Sequence, residues 1–589
     1  MDEVLRLFHD ANESIYGGDY PGLDFDLGLG TRTVNQDYES DIDDEAVFHG
    51  HEEEENVAAQ APSQDDNSGA ESVDWTPVNP TDPVPPLNLQ PCTNSSDQGP
   101  VDPLPSSSSP FDFFSLFFYE DMSQMMADQT NLYAVQQQQR KGKVDEYWKP
   151  VTVADMKVSL NIVIVMGIHV LPEYSMYWST DDRLRVAGIA DVMGKNRYEK
   201  INQYLHLNDS SQAVARGAEG HDPLYKVRPV IKNFRKRAAD NYIPGTSLSI
   251  DEAMIAYNGR LHFKQYIKAK PTPWGIKVWC IADPQNGYML DIDVYTGKVN
   301  NPMPHGLGHH VVMNMGRNYL SKYHHFVYDN YFSSVKLAED LLAQNTYCCS
   351  TIRGSRKGWP QQLNKANTDK MAPGEIKAMT KGRLLATVFN DKRKVSVLST
   401  NSSPGVSTVT RRVKGGIQHV EIPNSVLNYN NHMFGVDLAD QLRSYYAVGR
   451  SGVKWWRYIL WFVVQVSIVN AWNLYQAAQR PLPSNARGVS HLKFRLDICS
   501  ALVAVNVSKG KRKVSQGVST AGLGSSLSSD HQLDRLVGRK GACHWCSKIK
   551  AKTNKGRTPE TPYGCSICKV HLHKGLCFAS FHKELASAQ

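Results

Sequence analysis

Three passages of this chain carry an aspartate at or near the end of an apolar run: SLSIDEAM around Asp251, HHFVYDNYF around Asp329, and MFGVDLADQL around Asp437 and Asp440. Asp251 follows Leu248, Ser249 and Ile250, and Asp329 follows Phe326, Val327 and Tyr328, so each is expected where a strand with buried neighbours ends. Asp437 and Asp440 are three apart and share one face of a helix starting near Phe434. Rigid elements that aim carboxylates at a common point constrain fold and chemistry together. Hard oxygen ligands suit Mg²⁺, and two such ions roughly 3.5 to 4 Å apart stabilise both the attacking and the leaving oxygen of a phosphodiester. The chain holds 59 Asp and Glu, so spacing alone leaves open the ordinary roles of N-cap, turn former and solvated charge.

The texture around these passages divides the chain. FDFFSLFF at 111–118 opens a segment expected to be mostly helical to about Pro244, including a buried helix over 151–171 bounded by Pro150 and Pro172. From Thr246 the runs SLSI, GIKVWCIA, YMLDIDVY and HHFVYD read as strands, with turn signals at Asn258-Gly259 and Asn286-Gly287 and a helix over about 309–322 before the last. That order opens an RNase H-like sheet, with Asp251 and Asp329 on neighbouring strands. Residues 353–430, rich in Gly, Lys, Asn and Ser, suit an inserted subdomain. The uncharged stretch 458–479 is long enough for a membrane span, but Gln465, Asn470 and Asn473 cluster on one helix side, which favours a buried core helix. No membrane partner is expected.

The net charge of +6 conceals a division. Residues 1–110 hold 24 acidic and 2 basic residues, so the rest carries 35 acidic and 63 basic. The leader, with EEEE at 52–55 and few aliphatics, is expected to be disordered, because it cannot bury enough apolar surface to offset the entropy of ordering. The basic body suits a phosphate-backbone binder. Basic residues concentrate at Lys226, Arg228, Lys232, Arg235, Lys236 and Arg237, read either as a solvated helix face or as a DNA contact. MDEVLRLFHD shows no basic-then-apolar pattern and KGKRKV at 509–514 has the composition of an import signal, so a nuclear location is expected.

Five of the ten cysteines fall in the last 47 residues, as CHWC (Cys543, Cys546), CSIC (Cys565, Cys568) and Cys577, with His571, His573 and His582 among them. Each CxxC supplies two adjacent corners of a tetrahedral Zn²⁺ site, and eight ligands fill two closed, structural sites. The expected pairing is Cys543 and Cys546 with His571 and His573, and Cys565 and Cys568 with Cys577 and His582.

SIDEAM, NGRLHFKQYIKAKPTPWGIKVW (258–279), GYMLDIDVYTG (287–297), VYDNYFSS (327–334), KVSVLST (394–400) and GVDLADQ (435–441), with TNLYA (130–134) and 148–179 upstream, together resemble the piggyBac transposases and their domesticated descendants. The resemblance spans about Phe111 to Tyr475, with a further piece at the C-terminus. It implies that Asp251, Asp329 and Asp437 are the catalytic aspartates holding two Mg²⁺ ions, with Asp440 an additional carboxylate. It implies that Trp455 stacks on an unpaired base, that the partner is double-stranded DNA with TTAA targets, that the cysteine-rich end recognises transposon ends, and that the protein is a homodimer. In that family a Cys usually stands where this chain has His573, and His571 has no firm counterpart.

The expected fold class is multidomain α+β. It comprises a disordered acidic leader (1–110), a helical dimerisation and DNA-binding domain (111–245), an RNase H-like catalytic core (246–352 and 431–478) split by an insertion domain (353–430), a basic linker (479–537) and a cysteine-rich zinc module (538–589). The expected activity is metal-dependent cleavage and strand transfer of DNA. A domesticated DNA-binding or chromatin-associated protein without transposition is the alternative.

Overall fold

The computed structural model describes residues 74–504 and 531–587, apart from 81–86, 94, 269, 271–272, 298–302, 414–415, 450–451, 480–487, 532, 537–539, 554–555 and 566. The acidic run at 52–55 and the basic cluster at 509–514 lie outside the described residues. The chain divides into two compact units, residues 1–508 and 509–589.

A ten-stranded mixed sheet forms the spine of the first unit. Its principal strands are β1 (Thr76–Val78), β2 (Ser247–Ala256), β3 (Trp274–Ala282), β4 (Met289–Val294), β5 (His325–Tyr328), β6 (Tyr347–Thr351), β7 (Ile376–Lys381), β8 (Leu384–Asn390) and β9 (Lys394–Ser399). They lie in the order β1-β7-β8-β9-β6-β5-β2-β3, and both β4 and the short strand Gln265–Tyr266 pair with β3. β2, β3 and β4 are successively antiparallel, whereas β5 is parallel to β2 and β6 is parallel to β5. A parallel pair needs a crossover, and helix α6 (Gly306–Gly316), between β4 and β5, supplies it. Ile250, Ile276, Val278, Ile281 and Phe326 are almost wholly buried, so the central strands are apolar on both faces, as a covered sheet requires.

Two expectations need correcting. Segment 353–430, read as an inserted subdomain, contributes β7, β8 and β9 to the main sheet; the hairpin Val406–Val413 with Gly416–Pro423 forms a separate two-stranded sheet. Part of the segment read as a disordered leader is folded: β1 closes the sheet edge against β7. Just before β1, Trp75 Nε1 donates to the Gly358 carbonyl (3.0 Å); further along, the Thr93 N–H donates to the Lys322 carbonyl (3.1 Å), and Cys92 is buried against His324. The compositional argument missed these because a chain of low average hydrophobicity can still anchor itself through a few residues. Residues 1–73 lie outside the described residues.

Helices cover the sheet. The expected buried helix is Val153–Ile168, begun by a capping box in which Thr152 and Asp155 satisfy each other's backbone N–H groups. The apolar stretch near the C-terminal end of this unit is helix α10 (Trp455–Ala478). It is long and apolar enough to cross a membrane by length and composition, but 78% of its most apolar window is buried inside the fold. Asn470 explains part of that burial: its side chain bonds both the N–H and the carbonyl of Met289 on β4, each at 2.8 Å. Asn473 likewise donates to the Asn286 carbonyl in the turn before β4 (3.0 Å), whereas Gln465 accepts from Arg443 (3.3 Å).

Candidate active site and metal centres

The parallel register of β2 on β5 runs from Ser247 opposite His325 to Ile250 opposite Tyr328. The residue that follows each of these two is an aspartate, so Asp251 and Asp329 emerge side by side. Asp329 follows the end of its strand as expected, and its Oδ1 accepts the Tyr331 N–H at 2.9 Å. Asp251 does not end its strand, because β2 continues to Ala256; what ends beside it is the pairing with β5. Behind Asp329, Arg356 donates to the carbonyls of Asn330 (3.1 Å) and Tyr331 (3.0 Å), which fixes the turn.

Asp437 arrives on helix α9 (Gly435–Ser444), in its first turn. Two glycines bring this helix against the sheet. A Cβ on Gly435 would lie 2.9 Å from that of Ser249 and 3.1 Å from the Pro284 backbone. Gly287, in the turn before β4, has φ +70° and would meet the Ala439 backbone nitrogen at 2.9 Å. The Ser249 hydroxyl donates to the Met433 carbonyl at 2.6 Å, tying the approach to α9 onto the strand that carries Asp251. Asp440 accepts from Arg443 Nε (3.2 Å) and Nη2 (3.1 Å), and Arg443 also lies over the Phe462 ring.

The electrostatics link the three aspartates. Burial, then Glu252, and further the Asp437 and Asp329 carboxylates hold Asp251 well above the ordinary carboxylate range. Burial also raises Asp329, with Glu252 the next cause. Asp437 is raised by burial, and Lys270 only partly offsets this. Sequence reasoning missed three members of the cluster: Glu252, Lys270 and Lys277. Lys270 lies 3.4 Å from Glu252 Oε1 and Lys277 3.9 Å from Oε2. Lys277 also sits over the rings of Trp279 (3.9 Å) and Tyr331 (4.5 Å). All three stand in the quoted runs, but only the pairing of β2 with β3, which brings in Lys277, and the fold of the connection before β3, which brings in Lys270, show that they meet.

The remaining predicted contacts are divided. Trp455 begins α10, half-buried, edge-on to Phe263 at 5.5 Å. Of the basic cluster, Arg228 is engaged by Asp222 (2.5 Å) and Arg235 by Asp291 (2.7 Å), while Arg237 lies 4.2 Å over the Tyr119 ring. Lys232 is exposed, and Lys226 has an interaction of its own.

In the second unit, two groups of four ligand atoms each lie within 4.8 Å of one another: Cys543, Cys546, His573 and Cys577, and His531, Cys565, Cys568 and His582. The expected pairing is therefore corrected in three places. Cys577 belongs with the first CxxC, 3.7 Å from Cys546 Sγ. His571 joins neither group: its backbone bridges to Gly564 and its ring packs over Gly541. His531, overlooked, stands 3.3 Å from both Cys565 and Cys568 Sγ. Cys577 and His582 share the helix Leu576–Ser587. Five residues apart, they point about 140° away from each other, so one ion does not readily take both. That signal was available in the sequence. His531 was not: it lies 34 residues before Cys565, and the pairing of Leu533 with Cys565 carries it in. His582 Nδ1 lies 2.8 Å from the Phe578 carbonyl; donating there, it leaves Nε2 toward Cys568.

A mixed α+β sheet carrying adjacent aspartates, with a separate cysteine-rich unit, defines a transposase-like protein. A family model described as Transposase IS4 matches residues 109–472, and the chain belongs to this family, among the piggyBac transposases and piggyBac-derived proteins. PiggyBac transposable element-derived protein 3 of Homo sapiens is 24% identical over 510 residues, covering 85% of this chain and 80% of that protein. PiggyBac transposable element-derived protein 2 of Homo sapiens is 27% identical over 386 residues, covering 62% of each chain. The cryo-EM structure of the piggyBac transposase synaptic complex with hairpin DNA shares the fold, with TM-score 0.62 and 20% identity over 81% of this chain and 99% of that one.

Proposed function

We propose that the protein is a DNA transposase of piggyBac type that cleaves and joins DNA at TTAA sites, using an RNase H-like core formed by β2 to β6. The observation that carries this reading is the adjacency of Asp251 and Asp329 on parallel strands, with Asp437 delivered to them by α9. Their donor set fits divalent cations: buried oxygen ligands that repel one another gain most from a concentrated positive charge. Asp251, Asp329 and Asp437 would hold two Mg²⁺ ions, which when bound supply Lewis-acid stabilisation of phosphodiester oxygens. The chain's own contribution is placement: β2 and β5 fix two carboxylates, α9 a third, and Arg443 restrains Asp440. Trp455, at the start of α10, offers an aromatic face to an unpaired base.

The two four-ligand groups would each take a structural Zn²⁺, so the cysteine-rich unit would fold on metal and select transposon ends. Homodimerisation, to hold two DNA ends, and a nuclear location belong to the same proposal. The deciding experiment is cleavage of a DNA substrate carrying the element's own ends, with Mg²⁺ and with EDTA, by wild-type protein and Asp251→Asn. Metal-dependent nicking that the substitution removes supports the reading. End binding without nicking in any divalent metal would assign a domesticated DNA-binding protein instead.

A further inference from the structure

Two lysines face the carboxylates, and they are held very differently. Lys277 extends from the middle of β3 into an aromatic cage, with Trp279 and Tyr331 on its ammonium, and is nearly buried. Lys270 belongs to the connection before β3. Among the described residues, its ammonium meets Glu252 at the side-chain oxygen (3.4 Å) and at the backbone carbonyl (3.3 Å). It is half-buried, and close enough to Asp251 and Asp437 for their charges to act on it; burial disfavours its charge, but those carboxylates and Glu252 outweigh burial and raise it. One cation is built into the sheet. The other is lodged among the carboxylates by charge and two contacts.

We propose that Lys270 is the internal counter-cation of this site, offsetting part of the charge of Asp251, Glu252 and Asp437 until divalent ions bind, and that ion binding expels its ammonium toward solvent. This rests on the metal-site reading given above. Like charges at short range in a recess of low dielectric repel strongly, so a carboxylate cluster needs some cation to stay assembled. A divalent ion concentrates more charge than an ammonium and accepts several oxygens at once, so it displaces the more weakly held group. Lys277, caged by two rings, stays.

The test uses the full-length protein and Mn²⁺ as the probe. Lysines are acetylated briefly in EDTA and in saturating Mn²⁺, and modification at each site is read by mass spectrometry. Lys270 labelling is expected to rise by about threefold or more with Mn²⁺, while Lys277 stays protected in both conditions. In calorimetry, Lys270→Met is expected to bind Mn²⁺ about tenfold more tightly, because the ion no longer displaces a resident charge. Mn²⁺ binding that Asp251→Asn removes, with Lys270 labelling unchanged, would overturn the displacement and spare the metal site. Absence of any Asp251-dependent Mn²⁺ binding would overturn both.

Discussion

The carboxylate site of the first unit and the cysteine-histidine groups of the second both gather metal-type ligands, yet they are assembled by opposite means. Thiols and imidazoles can be neutral, so they pack in advance: Cys543, Cys546 and Cys565 form a small core with Leu572, and each ligand set lies within 4.8 Å. Among the described residues the aspartates form no group that tight. They are charged and mutually repelling, so strands and a docked helix hold them, with lysines set between. A metal is therefore expected to act as the fold's cement in the small unit and as a reagent in the large one.

The largest effects test that contrast directly. Asp251→Asn, Asp329→Asn and Asp437→Asn should each reduce Mg²⁺-dependent strand cleavage to background without unfolding the protein. Each carboxylate is held above its ordinary range, so the fold disfavours its anion at neutral pH, and the uncharged amide removes that cost. Melting temperatures in EDTA should stay level or rise. A cooperative loss of folding in these variants would mean that the carboxylates are structural after all. Asp440→Asn, whose partner is Arg443, should retain part of the activity.

Next in size is the zinc module. Purified protein is expected to carry about two zinc ions per chain. His531→Ala should lose one and unfold its surroundings, since a structural site contributes on the order of 10 kcal/mol. His571→Ala should keep both. Elemental analysis giving the reverse result for the two histidines would restore the ligand set expected from sequence.

Smaller effects concern the edges of the large unit. Arg235→Ala should cost about 2 kcal/mol by leaving Asp291 with Arg317 as its remaining ion-pair partner, while Lys232→Ala should leave stability unchanged and lower the salt slope of DNA binding by about 1. Equal effects of both on binding and neither on stability would return Arg235 to the DNA surface. Deleting residues 1–73 should not move the melting temperature; extending the deletion through residue 104 should lower it by roughly 5 °C, because β1 and the Cys92 contact go with it.

Much of the site was legible because its signals are local. The aspartates sit within short runs whose alternation and apolarity define the strand or helix beneath them, and CxxC spacing is a property of a few consecutive residues. The family, too, is written in such blocks. What the sequence by itself determined, then, is the class of protein, the three aspartates and the presence of a cysteine-rich metal-type module. Tertiary structure alone decided which residues surround them: Lys270 and Lys277 beside Glu252, Asp291 beside Arg235, His531 beside Cys565, and β1 on the edge of the sheet. Each of these partners is brought in by strand register or helix docking across many residues. Register is set by which faces bury their apolar side chains against each other, a sum over the whole sheet that no short window of sequence contains.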